Sequence, residues 1–270
     1  MRVLIALQLF SLTLFAFPAS GQEADQLAEM RDRFNRVASK FTLTGGEDGQ
    51  QAFEFLPQPV SNWSNAERRT HAGGMFLWTV HGRPQAVMCV YPNEKVYDHE
   101  FQSLSLSPIV AKSKEATVWS PTAAGVEFRP MPAAAEPGAS SPLRLRQMRR
   151  MARDFSAKLV PPNRTQIPLR LQPSPTYRYE SNGNDKSDLI SGAMFTFVQG
   201  TDPEVLLLIE AVRDSEGKTS WQYALARMTM VPTEVRHREE LVFAQTNWAI
   251  TRNAQLPYYV ITAFEADETP

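Results

Sequence analysis

Apolar residues recur at helical spacing in two stretches of this chain. Leu27, Met30, Phe34, Val37, Ala38 and Phe41 fall along one side of a helix whose other side carries Arg31, Asp32, Arg33 and Arg36. Leu145, Met148, Met151, Ala152, Phe155 and Leu159 form a second stripe, which Pro161-Pro162 stops. Strand-like runs follow each stripe. Residues 73–80 and 85–91 predict a hairpin turning at His81-Gly82-Arg83-Pro84, and a second hairpin turns around Gly200-Thr201-Asp202-Pro203. A third antiparallel strand is expected at 100–106 and again at 220–230. Val205-Leu206-Leu207-Leu208-Ile209 is apolar on both faces, so something must cover each side of the sheet.

The two halves read alike. Gly73-Gly74-Met75-Phe76 matches Gly192-Ala193-Met194-Phe195, and Phe101-Gln102 matches Trp221-Gln222, the blocks lying about 118 residues apart in the same order. Between them, residues 130–142 are rich in Pro, Ala and Ser and have no period, which predicts a linker. The expected class is therefore α+β. It comprises two related units at 22–129 and 143–270, each an amphipathic helix followed by a mainly antiparallel β-meander, with an internal duplication behind them.

The N-terminus changes the picture of where this chain works. Arg2, an apolar run from Val3 to Phe17, and the small residues Ala19 and Gly21 make residues 1–21 a signal peptide, with cleavage after Gly21. Periplasmic or extracellular residence follows, with no transmembrane segment after signal removal. Composition agrees with a globular domain: 270 residues, 43% hydrophobic, 21% charged, 13 Gly, 20 Pro and one Cys. A net charge of −1 argues against a nucleic-acid partner. Cys89 has no intramolecular thiol to pair with and sits in an apolar run, so it reads as packing.

Several segments carry a resemblance. Trp63-Ser64-Asn65, Phe76-Leu77-Trp78-Thr79, Gly82-Arg83-Pro84, Glu100-Phe101-Gln102-Ser103-Leu104-Ser105, Gly125-Val126-Glu127-Phe128-Arg129-Pro130 and Gly200-Thr201-Asp202-Pro203-Glu204 resemble a group of exported bacterial proteins of uncharacterised function. The resemblance implies export and a shared fold, and brings with it no activity, cofactor or site residue.

Chemistry is sparse. No GxSxG elbow, phosphate-cradling glycine loop, HExxH or paired CxxC is present, so neither a metal nor a cofactor is expected. Asp98 and Glu100, two apart at a strand start, share one face about 6.6 Å apart, near the spacing of acid–base carboxylate pairs. With His99 and His71 they are the catalytic candidates for an exported hydrolase; solvated charge is the plainer reading. His81 and Arg83 flank Gly82 at a hairpin tip and suit an anionic ligand. Arg146, Arg149, Arg150 and Arg153 line the polar side of the second stripe and suit an anionic glycan or lipid, or simple solvation. Trp63 and Trp119, beside turn residues, are candidates for stacking on sugars. The leading expectation is a non-catalytic binding or envelope-associated protein, with the hydrolase as the alternative.

Overall fold

Residues 41–45 and 155–159 satisfy two periodicities at once. Phe155, Ala157 and Leu159 extend a helical stripe, yet they also alternate with Ser156 and Lys158 as a strand would. Pairing with distant segments decides for the strand, and both helices end early. The computed structural model describes residues 19–46, 48–93, 96–181 and 188–264. The apolar run 3–17 of the expected signal peptide lies outside them.

Helix α1 (Ala19–Ala38) leads into β1 (Phe41–Gly45), β2 (Gln51–Ala52), β3 (Glu54–Phe55), β4 (Ser61–Asn65), β5 (Thr70–Val80) and β6 (Arg83–Asn93). Then come β7 (Val96–Ser103), β8 (Val110–Ser113), β9 (Ala116–Trp119) and β10 (Arg129–Pro130). Helix α2 (Ser141–Ala152) opens the second half, followed by β11 (Phe155–Leu159), β12 (Ile167–Leu171), β13 (Tyr177–Glu180), β14 (Leu189–Gln199) and β15 (Asp202–Arg213). The chain continues through β16 (Thr219–Arg227), β17 (Thr233–His237), β18 (Glu240–Gln245) and β19 (Tyr258–Phe264).

The α+β expectation is overturned. Among the described residues strands far outweigh the two helices, and a sheet curls into a half-barrel. Nor do the halves stand as two helix-plus-meander units, because they trade strands. A six-stranded sheet runs β19-β7-β6-β5-β3 with β4 also on β5, and a nine-stranded sheet runs β10-β16-β15-β14-β12-β11-β17-β18 with β13 also on β14. β10, from the middle of the chain, thus closes onto the later sheet, while the last strand returns to the earlier one. A four-stranded sheet, β2-β1-β8-β9, completes the set.

Three apolar layers hold these parts together. Met75, Leu77, Val87 and Cys89 meet Met194, Leu206 and Leu208 between the two large sheets. Phe34 of α1, Phe41 of β1 and Trp119 of β9 cover the opposite face of the earlier sheet against Phe76, Trp78 and Phe101. Met148 of α2, with Phe155 and Val235, covers the far face of the later sheet against Phe195, Leu207 and Ile209. β15 therefore sends alternate residues into two different cores, which accounts for its unbroken apolar run.

The Pro/Ala/Ser-rich stretch is packed as a strap. Met131 is buried, and Gln147 of α2 accepts from the Gly138 N–H at 2.8 Å and donates to the Glu136 carbonyl at 2.8 Å.

Candidate functional site

The layer between the large sheets is interrupted by charge in two regions. In one, Glu210 of β15 is fully buried, and Arg83 Nε and Nη2 donate to its two carboxylate oxygens at 2.8 Å each. The Tyr179 hydroxyl and Gln222 Nε2 each add a bond at 2.9 Å. Tyr179 is held over Gly192, where any Cβ would stand 2.3 Å from its ring. Arg83 is thus no free cation at a hairpin tip: its guanidinium ties one sheet to the other and lies 4.9 Å from the centre of the Phe128 ring. His81 stays exposed, with φ +49° before Gly82 at +82°, the two-residue turn that matches strand twist.

The second region gathers Glu100 of β7 with Asp202 and Glu204 of β15 around Arg68. Arg68 Nη1 lies 3.3 Å from Asp202 and Nη2 lies 2.6 Å from Glu204, and Asn65 Nδ2 donates to Asp202 at 3.0 Å. Burial pushes the Asp202 carboxyl up to about 6 against the pull of Arg68. Burial, helped by the Asp202 charge and opposed by Arg68, pushes Glu204 up to about 8. Glu100 is raised well above the carboxylate range by burial, against the hydrogen bond it receives from the Tyr258 hydroxyl. The Tyr258 phenol is raised in turn by burial and by the Glu100 charge, and Arg227 stands 5.1 Å from its ring centre.

The residues singled out in sequence do not converge. Asp98 and Glu100 share a face as expected, but that face is buried. Asp98 accepts from the Thr262 hydroxyl at 2.7 Å and from Asn93 Nδ2 at 2.8 Å. His99 points to the other side of β7, against the Phe41 ring at 5.8 Å, and His71 is exposed. Trp63 packs on Gly73 and the Tyr91 ring, and Trp119 is fully buried and donates to the Leu256 carbonyl at 2.9 Å. Neither offers a stacking surface for sugars. On α2, Arg146 and Arg150 are exposed and Arg149 is half-buried, and Arg153, which caps the helix, is exposed. Burial raises the Cys89 thiol well above its ordinary value, in keeping with packing.

The open space lies elsewhere. A cleft of about 270 Å³ is lined by Gly125, Val126, Tyr223, Leu225, Val242 and Phe243. It adjoins a second, of about 230 Å³, reaching Gln102, Arg227, Ile250 and Tyr258. Gly125, Leu225 and Phe243 belong to both, so the two read as one groove. Trp248 and Ile250, 50% and 68% exposed, stand on the same segment as its rim. Tyr258 joins the groove to the carboxylates, since it lines the space and its hydroxyl is bound to Glu100, and Arg227 beside it also lines the cleft.

No family model, curated protein or solved structure matches the chain. Among the described residues no group of three or more His, Cys, Asp or Glu is placed to hold a metal ion, and no helix is long and apolar enough to cross a membrane. Sequence reasoning passed over Arg68, Asp202, Glu204, Glu210, Leu225 and Tyr258. A signal existed for two of them: Glu204 and Glu210 are the acidic residues bounding an otherwise apolar strand, and buried charge is retained only with partners.

Proposed function

We propose that this chain is an exported, envelope-associated protein that acts by binding a partner, and that the groove beside β16 is its binding face. The observation that carries this reading is the continuity of the two clefts through Leu225 and Phe243, with exposed Trp248 and Ile250 beside them. The N-terminal pattern of a short charged start, an apolar run and small residues supports export. A hydrolase built on Asp98 and Glu100 has less support, because both carboxylates are bound to β19 hydroxyls and neither lines the groove.

Two linked measurements test it. Expressed with a C-terminal tag in a bacterium, the chain should lose its first 21 residues and fractionate outside the cytoplasm. The processed protein should then capture a component of envelope extract that an Ile250→Glu, Trp248→Glu double variant fails to hold. Retention of the unprocessed chain in the cytoplasm contradicts export, and equal capture by the variant contradicts the groove.

A further inference from the structure

Taking the groove as the binding face, we infer that its partner is an extended peptide, which adds as a strand to the open edge of β16 beside Leu225 and Arg227. The inference rests on the binding role proposed above and adds the chemistry of what is bound.

Hydrogen bonding along β16 sets which peptide groups face outward. Met228 N–H donates to the Glu204 carbonyl at 2.8 Å and the Lys218 carbonyl accepts from Asp214 at 2.9 Å, so even-numbered residues turn toward β15. The Trp221 carbonyl accepts from Met131 N–H at 2.9 Å on the opposite edge, so odd-numbered residues turn away from β15. β10 pairs with that edge at Gln222 and Tyr223, and Met131 carries the contact on to Trp221. Among the described residues no strand pairs with 224–227 there. Leu225 and Arg227, though largely buried, line the groove, and by the alternation along β16 their N–H and C=O groups turn toward it.

The reason β10 leaves is visible. Gly125 N–H donates to the Ser105 carbonyl at 2.8 Å, and a Cβ on Gly125 would stand 2.0 Å from the Ser103 carbonyl oxygen. Only glycine permits this approach. The connector is therefore seated on the β7 edge at Gly125 and reaches the β16 edge only at Arg129. The gap it spans is the groove.

The chain itself shows what such an edge takes. On β7 the matching edge is covered by β19 over seven residues, with Tyr258 opposite Gln102 where β10 sets Pro130 opposite Gln222. An edge with bare N–H and C=O groups is completed by another extended backbone. Side-chain chemistry fits an apolar strand. Arg227 turns its guanidinium to the Thr229 and Val231 carbonyls at 2.7 and 3.2 Å, and Arg129 donates to the Val242 carbonyl at 2.9 Å, which leaves Val242, Phe243 and Ile250 to receive alternate side chains.

The test selects displayed random nonapeptides on the folded protein, then methylates each backbone nitrogen of the strongest binder in turn. Selected peptides should carry apolar residues at alternate positions. N-methylation at one parity should weaken binding by about tenfold per site, while the other parity changes it by less than about twofold. Leu225→Pro removes an outward N–H and no β15 ladder donor, together with a buried side chain, and where it folds it should weaken the same peptides. If that variant does not fold, the methylation series decides alone. Methylation that is indifferent to parity overturns strand addition. Failure to select any peptide, while Ile250→Glu still abolishes envelope capture, overturns the peptide and leaves the groove. Insensitivity of capture to Ile250→Glu overturns the groove itself. Concentration-dependent dimerisation through β16 with no peptide binding assigns the edge to a second copy of this chain, and also overturns the inference.

Discussion

β19 lays seven residues along β7, from Tyr258 against Gln102 to Phe264 against Val96, whereas β10 lays only Arg129 and Pro130 along β16. Each strand closes the sheet of the other half of the chain. The longer closure also supplies partners to buried charge, since Tyr258 binds Glu100 and Thr262 binds Asp98. The shorter closure has no such duty. Glu210, in the sheet that β10 joins, is satisfied from within the layer by Arg83, Tyr179 and Gln222. The long closure adds hydroxyl donors to two buried carboxylates of the edge strand itself, whereas Glu210 lies one strand in from the β16 edge and takes its partners without β10.

The sharpest break in this comparison comes from proline on each closing strand. Ile261→Pro removes a ladder donor and should cost about 3 kcal/mol or more by urea unfolding. Arg129→Pro, on the short closure, should cost about 1 kcal/mol. Equal losses would mean that the two edges depend alike on their closing strands.

Smaller effects separate the carboxylates. Tyr258→Phe takes from Glu100 its hydroxyl donor and should cost about 2 kcal/mol near neutral pH, while Tyr179→Phe leaves Glu210 three other bonds and should cost about 1 kcal/mol.

The second charged region, with three carboxylates around one guanidinium, also predicts a pH slope. Burial raises Asp202 to about 6 and Glu204 to about 8 in the folded protein, from ordinary values of 3.8 and 4.5. The folded state therefore holds more protons than the unfolded chain. The stability these groups contribute is complete below about pH 4 and is lost as pH rises through 6 and 8. The free energy of unfolding in urea should fall between pH 5 and pH 9 by on the order of 5 kcal/mol, and Glu204→Gln should flatten the upper part of that fall. A free energy that rises over the same window contradicts the assignment. Least of all, Arg150→Glu on the exposed side of α2 should change stability by less than about 0.5 kcal/mol.

These contrasts also mark how far the chain could be read unaided. The hairpins were legible, because His81-Gly82 and Gly200-Thr201 interrupt long apolar runs with residues suited to a tight turn. The double-faced burial of β15 followed from its composition. The class did not, because Phe41-Thr42-Leu43 and Phe155-Ser156-Ala157 fit a helix or a strand equally by local pattern, and pairing with β8 and β17 decided between them. The exchange of β10 and β19 is a contact between distant segments, which no local period encodes. The groove was invisible for the same reason: it is formed where a connector departs from one edge for another. Asp98 and Glu100 were correctly placed on one face, but their burial depends on Thr262 and Tyr258, more than 150 residues away.

Residue-resolved amide hydrogen exchange tests the open edge most directly. Ser103 N–H donates to the Pro257 carbonyl at 2.8 Å, so odd-numbered amides of β7 face β19 as odd-numbered amides of β16 face the groove. The account predicts strong protection at His99 and Phe101, with exchange at Leu225 and Arg227 faster by orders of magnitude. Equal protection at all four amides would mean that the β16 edge is already closed, and would contradict the account.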